Sequence, residues 1–192
     1  MTKTRFQFYP ANKKIPEHLE SLIGAFEKNQ EKISSQKHTL NSNSVLEILR
    51  SDLESAEFLI EKGKKFNEKI KIPVLFGENG KVIKSFDVDG FHEETGTVLE
   101  VEAGRAVDNN QFLKDFFDSC IMNNVNYCVI GVRDVYRKQK DFEKVNVTRE
   151  VTKLPFLKVR AGGNLWQSNQ VPLVNVQDAS LDKCSFFKKK SR

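Results

Sequence analysis

Asp89, Glu100 and Glu102 are the residues of this chain whose types and spacing point to chemistry. Glu100 and Glu102 are two apart in VLEVEAG, a Val- and Leu-rich segment that predicts a strand. Successive strand side chains point to opposite faces, so the two acids share a face. Like charges that close repel and are costly to desolvate, so something positive belongs between them. Asp89 ends the preceding apolar run, and a tight turn over residues 92–96 brings it alongside. Three converging carboxylates suit a hard, oxygen-loving divalent cation, Mg²⁺ first, with Mn²⁺ able to substitute. Asp87 shares a strand face with Asp89 and competes for the same role. The plainer alternative is two glutamates on the solvated face of a half-exposed strand.

The elements that must position these acids can be read in order. Residues 1–14 look irregular, with Phe6, Phe8 and Tyr9 tucked onto the body. The spacing predicts a helix over 16–34, with Leu19, Leu22, Ile23, Phe26 and Ile33 on its apolar face. A polar linker (35–43) leads to a second helix starting near 42–44 and ending by Gly63 at about residue 62. Its buried stripe is Leu46, Leu49, Leu53, Ala56 and Ile60. A hairpin follows, with strands 69–76 and 82–88 joined by GENGK; Pro73 hints at an edge or a bend. The carboxylate strand spans 97–103 and Gly104 breaks it. Asp108 or Asn109 caps a helix reaching about 122, with Phe112, Phe116, Cys120 and Ile121 inward. Residues 127–132 (YCVIGV) read as a strand buried on both faces. Strand, helix, strand makes a βαβ unit with parallel strands. Segments 156–159 and 171–176 are further extended candidates.

Composition bounds the rest. With 192 residues, 39% hydrophobic and 30% charged, the chain is expected to be one soluble globular domain over 1–192. No apolar run is long enough to cross a bilayer and the first ten residues lack a leader's apolar core, so a cytoplasmic location is expected. Cys120, Cys128 and Cys184 are too few and too scattered for a zinc site. The net charge of +5 permits a polyanionic partner. Arg133, Arg137, Lys138, Lys140 and Lys144 form one basic cluster, and 188–192 a basic tail. Arg105, just beyond the carboxylate strand, could reach a phosphate or form a surface ion pair. Asn109, Asn110 and Gln111 open a helix whose N–H groups favour anions. His92 reads as a solvent-facing turn residue beside the site. Trp166, with Arg160 and Gln167 near it, either touches DNA or packs on the core.

An Asp followed about ten residues later by Glu-x-Glu resembles the signature of the PD-(D/E)xK nuclease superfamily. The order of elements is that of the superfamily too: helix, hairpin, carboxylate strand, helix, buried strand. VLEVEAGRAVDNNQFLKDFFDSC looks like the restriction-endonuclease-like branch that includes the BamHI and BglII kind. The resemblance covers about residues 45–137 and implies an α/β core, a central mixed β-sheet flanked by helices. It implies an Mg²⁺-dependent endonuclease cutting DNA, plausibly as a homodimer with one site per strand. Asp89 and Glu100 would hold the metal, while Glu102 stands where the superfamily usually has lysine; the BamHI kind is similar in carrying a glutamate there. Glu102 would orient or deprotonate the attacking water, or hold a second ion. Glu54 would add a carboxylate from the preceding helix, with Glu57 and Glu47 as rivals. Lys114 would point back as a positive group, and Arg105, Arg133, Arg137, Lys138 and Lys140 would contact DNA phosphates. The alternative is a non-catalytic DNA-binding or complex-forming module on the same fold; an RNA-directed nuclease would use the same chemistry.

Overall fold

A computed structural model describes residues 3–10, 12–63, 65–103, 111–133, 135–137, 144–146 and 173–179. Helix α1 (Glu17–Ile33) follows Pro16, with Glu17 and Glu20 in its first turn and Lys32 in its last, all favourable to the helix dipole. Leu19, Leu22, Ile23 and Phe26 are buried along one side, as their spacing requires. Helix α2 (Ser42–Ser55) is capped by Asn41, whose Oδ1 accepts the Ser44 N–H at 2.9 Å.

Helix α2 stops at Ser55, well short of the end expected from its apolar stripe. Glu57 takes a left-handed conformation (φ 64°). Its N–H bonds the Glu54 carbonyl and the Phe58 N–H bonds the Leu53 carbonyl, each at 3.0 Å. That is a Schellman closure, with glutamate where glycine is usual. Phe58 turns inward and the chain passes into β2 (Leu59–Ile60). Ile60 therefore enters the core from a strand and not from the helix.

The main sheet contains β2, β5 (Gly90–His92), β6 (Thr97–Glu102), β7 (Tyr127–Val132), β10 (Leu173–Ala179) and β1 (Lys3–Phe8). Its order is β1-β10-β7-β6-β5-β2. The β2–β5, β5–β6 and β1–β10 pairs are antiparallel, and β6–β7 and β7–β10 are parallel. Helix α3 (Gln111–Ile121) joins β6 to β7, giving the expected parallel βαβ unit. The protein is α/β with a mixed sheet flanked by helices.

Strands β3 (Ile70–Phe76) and β4 (Val82–Val88) form a separate hairpin between β2 and β5. Asn79 and Gly80 supply its positive-φ turn, and the register shifts beside Pro73. A further two-stranded pair joins β8 (Val135–Arg137) to β9 (Lys144–Asn146).

Side chains of β6 alternate between two packed faces. Leu99, Val101 and Ala103 join α1 and α2 in one core with Val129. Val98 points the other way, against Ile72 and Val88 of the hairpin and Met122 and Val125 after α3. Three expectations change. The N-terminal segment is a strand, not irregular: its hydrogen-bonding partner, β10, lies far along the chain and leaves no local signal. Of its aromatics Phe8 is buried, while Phe6 and Tyr9 are exposed. Ile121 is 60% exposed, because α3 ends there and Met122 takes the inward place. Residues 156–159, Arg160, Trp166, Gln167, Cys184 and the basic tail lie outside the described residues. Among the described residues no helix is long and apolar enough to cross a membrane.

Glu57→Gly should stabilise the fold by about 1 kcal/mol, since the left-handed backbone strains any side-chain-bearing residue. Chemical unfolding would check it, and a loss of stability would remove the proposed strain at this helix end.

Candidate functional site

Beyond Val98 along β6, the inward face changes from apolar to acidic at Glu100 and Glu102, both only partly covered. The local reason is strand alternation: the same period that buries Leu99 and Val101 turns both glutamates toward α3. Asp89 sits between β4 and β5. The β5–β6 ladder pairs Gly90 with Leu99, so its continuation sets Asp89 beside Glu100. Asp89 is anchored twice: its carbonyl accepts the Glu61 N–H at 2.9 Å and its Oδ2 accepts the Val101 N–H at 2.8 Å. Asp87 instead lies exposed and pairs with Lys71 at 3.0 Å. The hairpin thus delivers Asp89 to the glutamates and leaves Asp87 outside.

A fourth acid completes the cluster. Asp115 lies on the buried stripe of α3 with Phe112, Phe116 and Ser119, and is 7% exposed. Its Oδ1 accepts from Gln111 Nε2 at 3.1 Å and lies 3.6 Å from Lys114 Nζ. Its Oδ2 is buried without a donor. The Asp115 and Glu102 carboxyls lie near enough to shift each other's proton affinity. Sequence reading missed Asp115; the available signal was an acid at i+3 from Phe112 inside an otherwise apolar helical stripe.

The electrostatics follow from burial of like charges. Burial lifts the Asp89 carboxyl to about 6; the Val101 N–H opposes this and repulsion from Glu61 and Asp115 adds to it. Glu100 is held well above the ordinary carboxylate range, by burial first and then by Asp89, Asp115 and Glu102. Burial first, then the nearness of Asp115 and Asp89, pushes Glu102 up to about 8. Asp115 is raised by burial, while Glu102, Lys114 and Gln111 pull it the other way. Two lysines border the group. Lys69 pairs with the buried Glu61 at 2.7 Å, and Lys114, largely exposed, pairs with Asp118 at 2.9 Å.

The remaining expected residues lie elsewhere. Glu54 does not reach the cluster: α2 packs on the opposite face of β6, and Glu54 lies exposed, 3.9 Å from Arg50. Glu47 is also exposed and paired with Arg50, and Glu57 sits 3.8 Å from His92. His92 is buried, not solvent-facing. It packs on Phe58 and lies opposite Thr97, at the far end of β6 from the glutamates. Arg133 is half-buried and lines a cavity with Phe26, Gln30, Val45 and Val101, on the α1 side of the sheet and away from the acids. Arg137 is the last residue of β8. Arg105, Lys138 and Lys140 lie outside the described residues, as do Gly104, Asn109 and Asn110.

The donor set is four carboxylates, all hard oxygen, with one buried oxygen lacking a donor, and this chemistry suits Mg²⁺. As the side chains stand, no three His, Cys, Asp or Glu groups among the described residues are arranged to hold a metal ion. No protein-family model, curated protein or solved structure matches the chain.

Carboxyls whose folded values exceed their unfolded ones keep protons that the unfolded chain has lost, so their contribution to stability falls as pH rises from about 4 to about 8. Glu102→Gln removes one such group and leaves an amide that donates to Asp115 at every pH. The melting temperature of Glu102→Gln relative to wild type, without metal, should therefore rise between pH 5 and pH 8. A constant difference across that range would show that the cluster is not protonated as described.

Proposed function

We propose that this chain is an Mg²⁺-dependent endonuclease that hydrolyses DNA phosphodiester bonds, restriction-endonuclease-like in its core. The observation that carries the reading is the meeting of Asp89, Glu100 and Glu102 at a partly open spot on an otherwise apolar sheet face. The order α2, antiparallel strands, β6, α3 and parallel β7 supports it, being the order on which the resemblance to the PD-(D/E)xK superfamily rests.

In this reading Asp89 and Glu100 would hold Mg²⁺, which when bound supplies charge neutralisation at the scissile phosphate and a more acidic water. The Val101 N–H and the Glu61 N–H fix Asp89 for that task from two strands. Glu102 would orient or deprotonate the attacking water, or hold a second ion. Lys114 at the rim offsets part of the negative charge felt by Glu100 and Glu102. The β3–β4 hairpin stands on the same sheet face and exposes Lys71, Lys81 and Lys84, with Lys65 and Phe66 at its base. That surface favours a phosphate backbone passing over the acids. A homodimer cutting the two strands of a duplex belongs to the same proposal.

A second reading, a non-catalytic nucleic-acid-binding module, is favoured by the side-chain arrangement, in which no three His, Cys, Asp or Glu groups among the described residues are placed to hold a metal ion. The two separate in a plasmid-cleavage assay with Mg²⁺ or Mn²⁺. Wild type should nick or cut, and Asp89→Ala and Glu100→Ala should each lose at least about 100-fold, beyond what disturbing a ligand's neighbours does. Asp87→Ala and Glu54→Ala should cut within about 3-fold of wild type, because neither side chain reaches the cluster. DNA binding without metal-dependent cleavage would select the second reading.

A further inference from the structure

We propose that the distal half of the β3–β4 hairpin is an arm that enters a groove of duplex DNA, its apolar side chains against the bases and its lysines on the flanking phosphates. The inference rests on the reading that this chain binds nucleic acid, and deepens it by naming B-form duplex as the substrate class. The hairpin divides in two. In its proximal half Ile72 and Val88 are buried, with Ile70, Val74 and Phe86 packed beside them, and the Asn123 N–H bonds the Pro73 carbonyl at 2.8 Å. Past Pro73 that cover ends. Leu75, Phe76, Val82 and Ile83 are 44% to 63% exposed, and the register sets Phe76 opposite Val82 and Leu75 opposite Lys84.

An apolar cluster left in water marks a surface that a partner covers, and charge decides which partner. Residues 62–88 carry seven lysines against three acids, Glu68, Glu78 and Asp87, a net +4 in a chain of +5. Lys69 pairs with Glu61 and Lys71 with Asp87, whereas among the described residues Lys81 and Lys84 enter no ion pair. A polyanion is the complementary partner, and apolar side chains set between lysines suit bases set between phosphates. The shape agrees. A two-stranded ribbon fits the major groove of B-form DNA, about 12 Å wide, while the deep, narrow groove of duplex RNA does not admit it. Register shifts at Pro73, Leu75 and Phe76 break the regular edge that a strand from a second copy would need. Val82 starts β4 and Asp89 follows its end, roughly 20 Å away, so the arm meets DNA about six base pairs from the acids.

The test is fluorescence anisotropy of the full-length chain with a labelled DNA duplex several helical turns long, and with the matching RNA duplex, without metal and over a series of salt concentrations. Wild type should bind the DNA duplex more tightly than the RNA duplex. The double variant Phe76→Ser, Ile83→Ser should bind DNA at least about 10-fold more weakly, with its salt dependence unchanged. The double variant Lys81→Gln, Lys84→Gln should lower the slope of log Kd against log salt by about 2. Both should melt with wild type, because these side chains lie outside the core. Unchanged DNA affinity in a folded Phe76→Ser, Ile83→Ser protein overturns the inference. Loss there of self-association in sedimentation would then assign the arm to a second copy, and loss of binding to phosphatidylserine vesicles to a lipid surface. If that variant does not fold, the lysine pair decides, and an unaltered salt slope overturns the inference. A wild type that binds neither duplex, or both equally, overturns it too. DNA binding weakened as expected, but with no metal-dependent cleavage by wild type, sinks the nuclease reading and leaves the arm standing. Metal-dependent cleavage with DNA affinity unchanged in both variants does the reverse.

Discussion

Much of this fold depends on how β6 carries two glutamates while one of its faces is core and the other is partly covered. A strand in the middle of a sheet can bury apolar side chains on each side without penalty. It can bury carboxylates only if something neutralises them. On the α1–α2 side, Leu99 and Val101 meet that demand as simple core. On the other side Val98 does, and two residues later burial and mutual repulsion raise the proton affinity of Glu100 and Glu102. The cluster is an energetic liability that the rest of the sheet tolerates, as sites poised for chemistry commonly are.

Asp89 shows how the backbone shares in that tolerance. Its carboxylate takes the Val101 N–H while its own carbonyl takes the Glu61 N–H, so the residue bridges β6 and the end of β2. The same two bonds prolong the sheet past the end of β5 and aim an acid at Glu100. Position and charge are therefore coupled. Moving Asp89 away from the glutamates would break the ladder, and keeping it there requires that its negative charge be offset.

Helix α3 adds the complementary constraint. Phe112, Phe116 and Cys120 are buried along one side of it, and Asp115 lies on that same buried stripe. The hairpin closes the opposite flank through Ile72 and Val88. Between these two walls the acids keep a partial opening to solvent, lined at its edge by Lys114.

By itself the sequence determined the elements whose signals are local. The period of Leu19, Leu22, Ile23 and Phe26 placed α1, the GENGK turn placed the hairpin, and the apolar run at 127–132 placed β7. Strand alternation put Glu100 and Glu102 on one face before any fold was known, and the turn before Thr97 brought Asp89 to them. Only the tertiary structure chose Asp89 over Asp87, because the choice rests on a Val101 N–H and a Lys71 ammonium that periodicity does not see. It moved Glu54 off the site, since a helix stripe does not say which face of a sheet it covers. It ended α2 at Ser55 through a glutamate in a glycine's conformation. It also brought in Asp115, whose carboxyl becomes part of the site only when α3 packs across β6. Local periodicity fixes which way a side chain points from its own element; which groups it meets is decided by long-range packing, and that is written in no short stretch of chain.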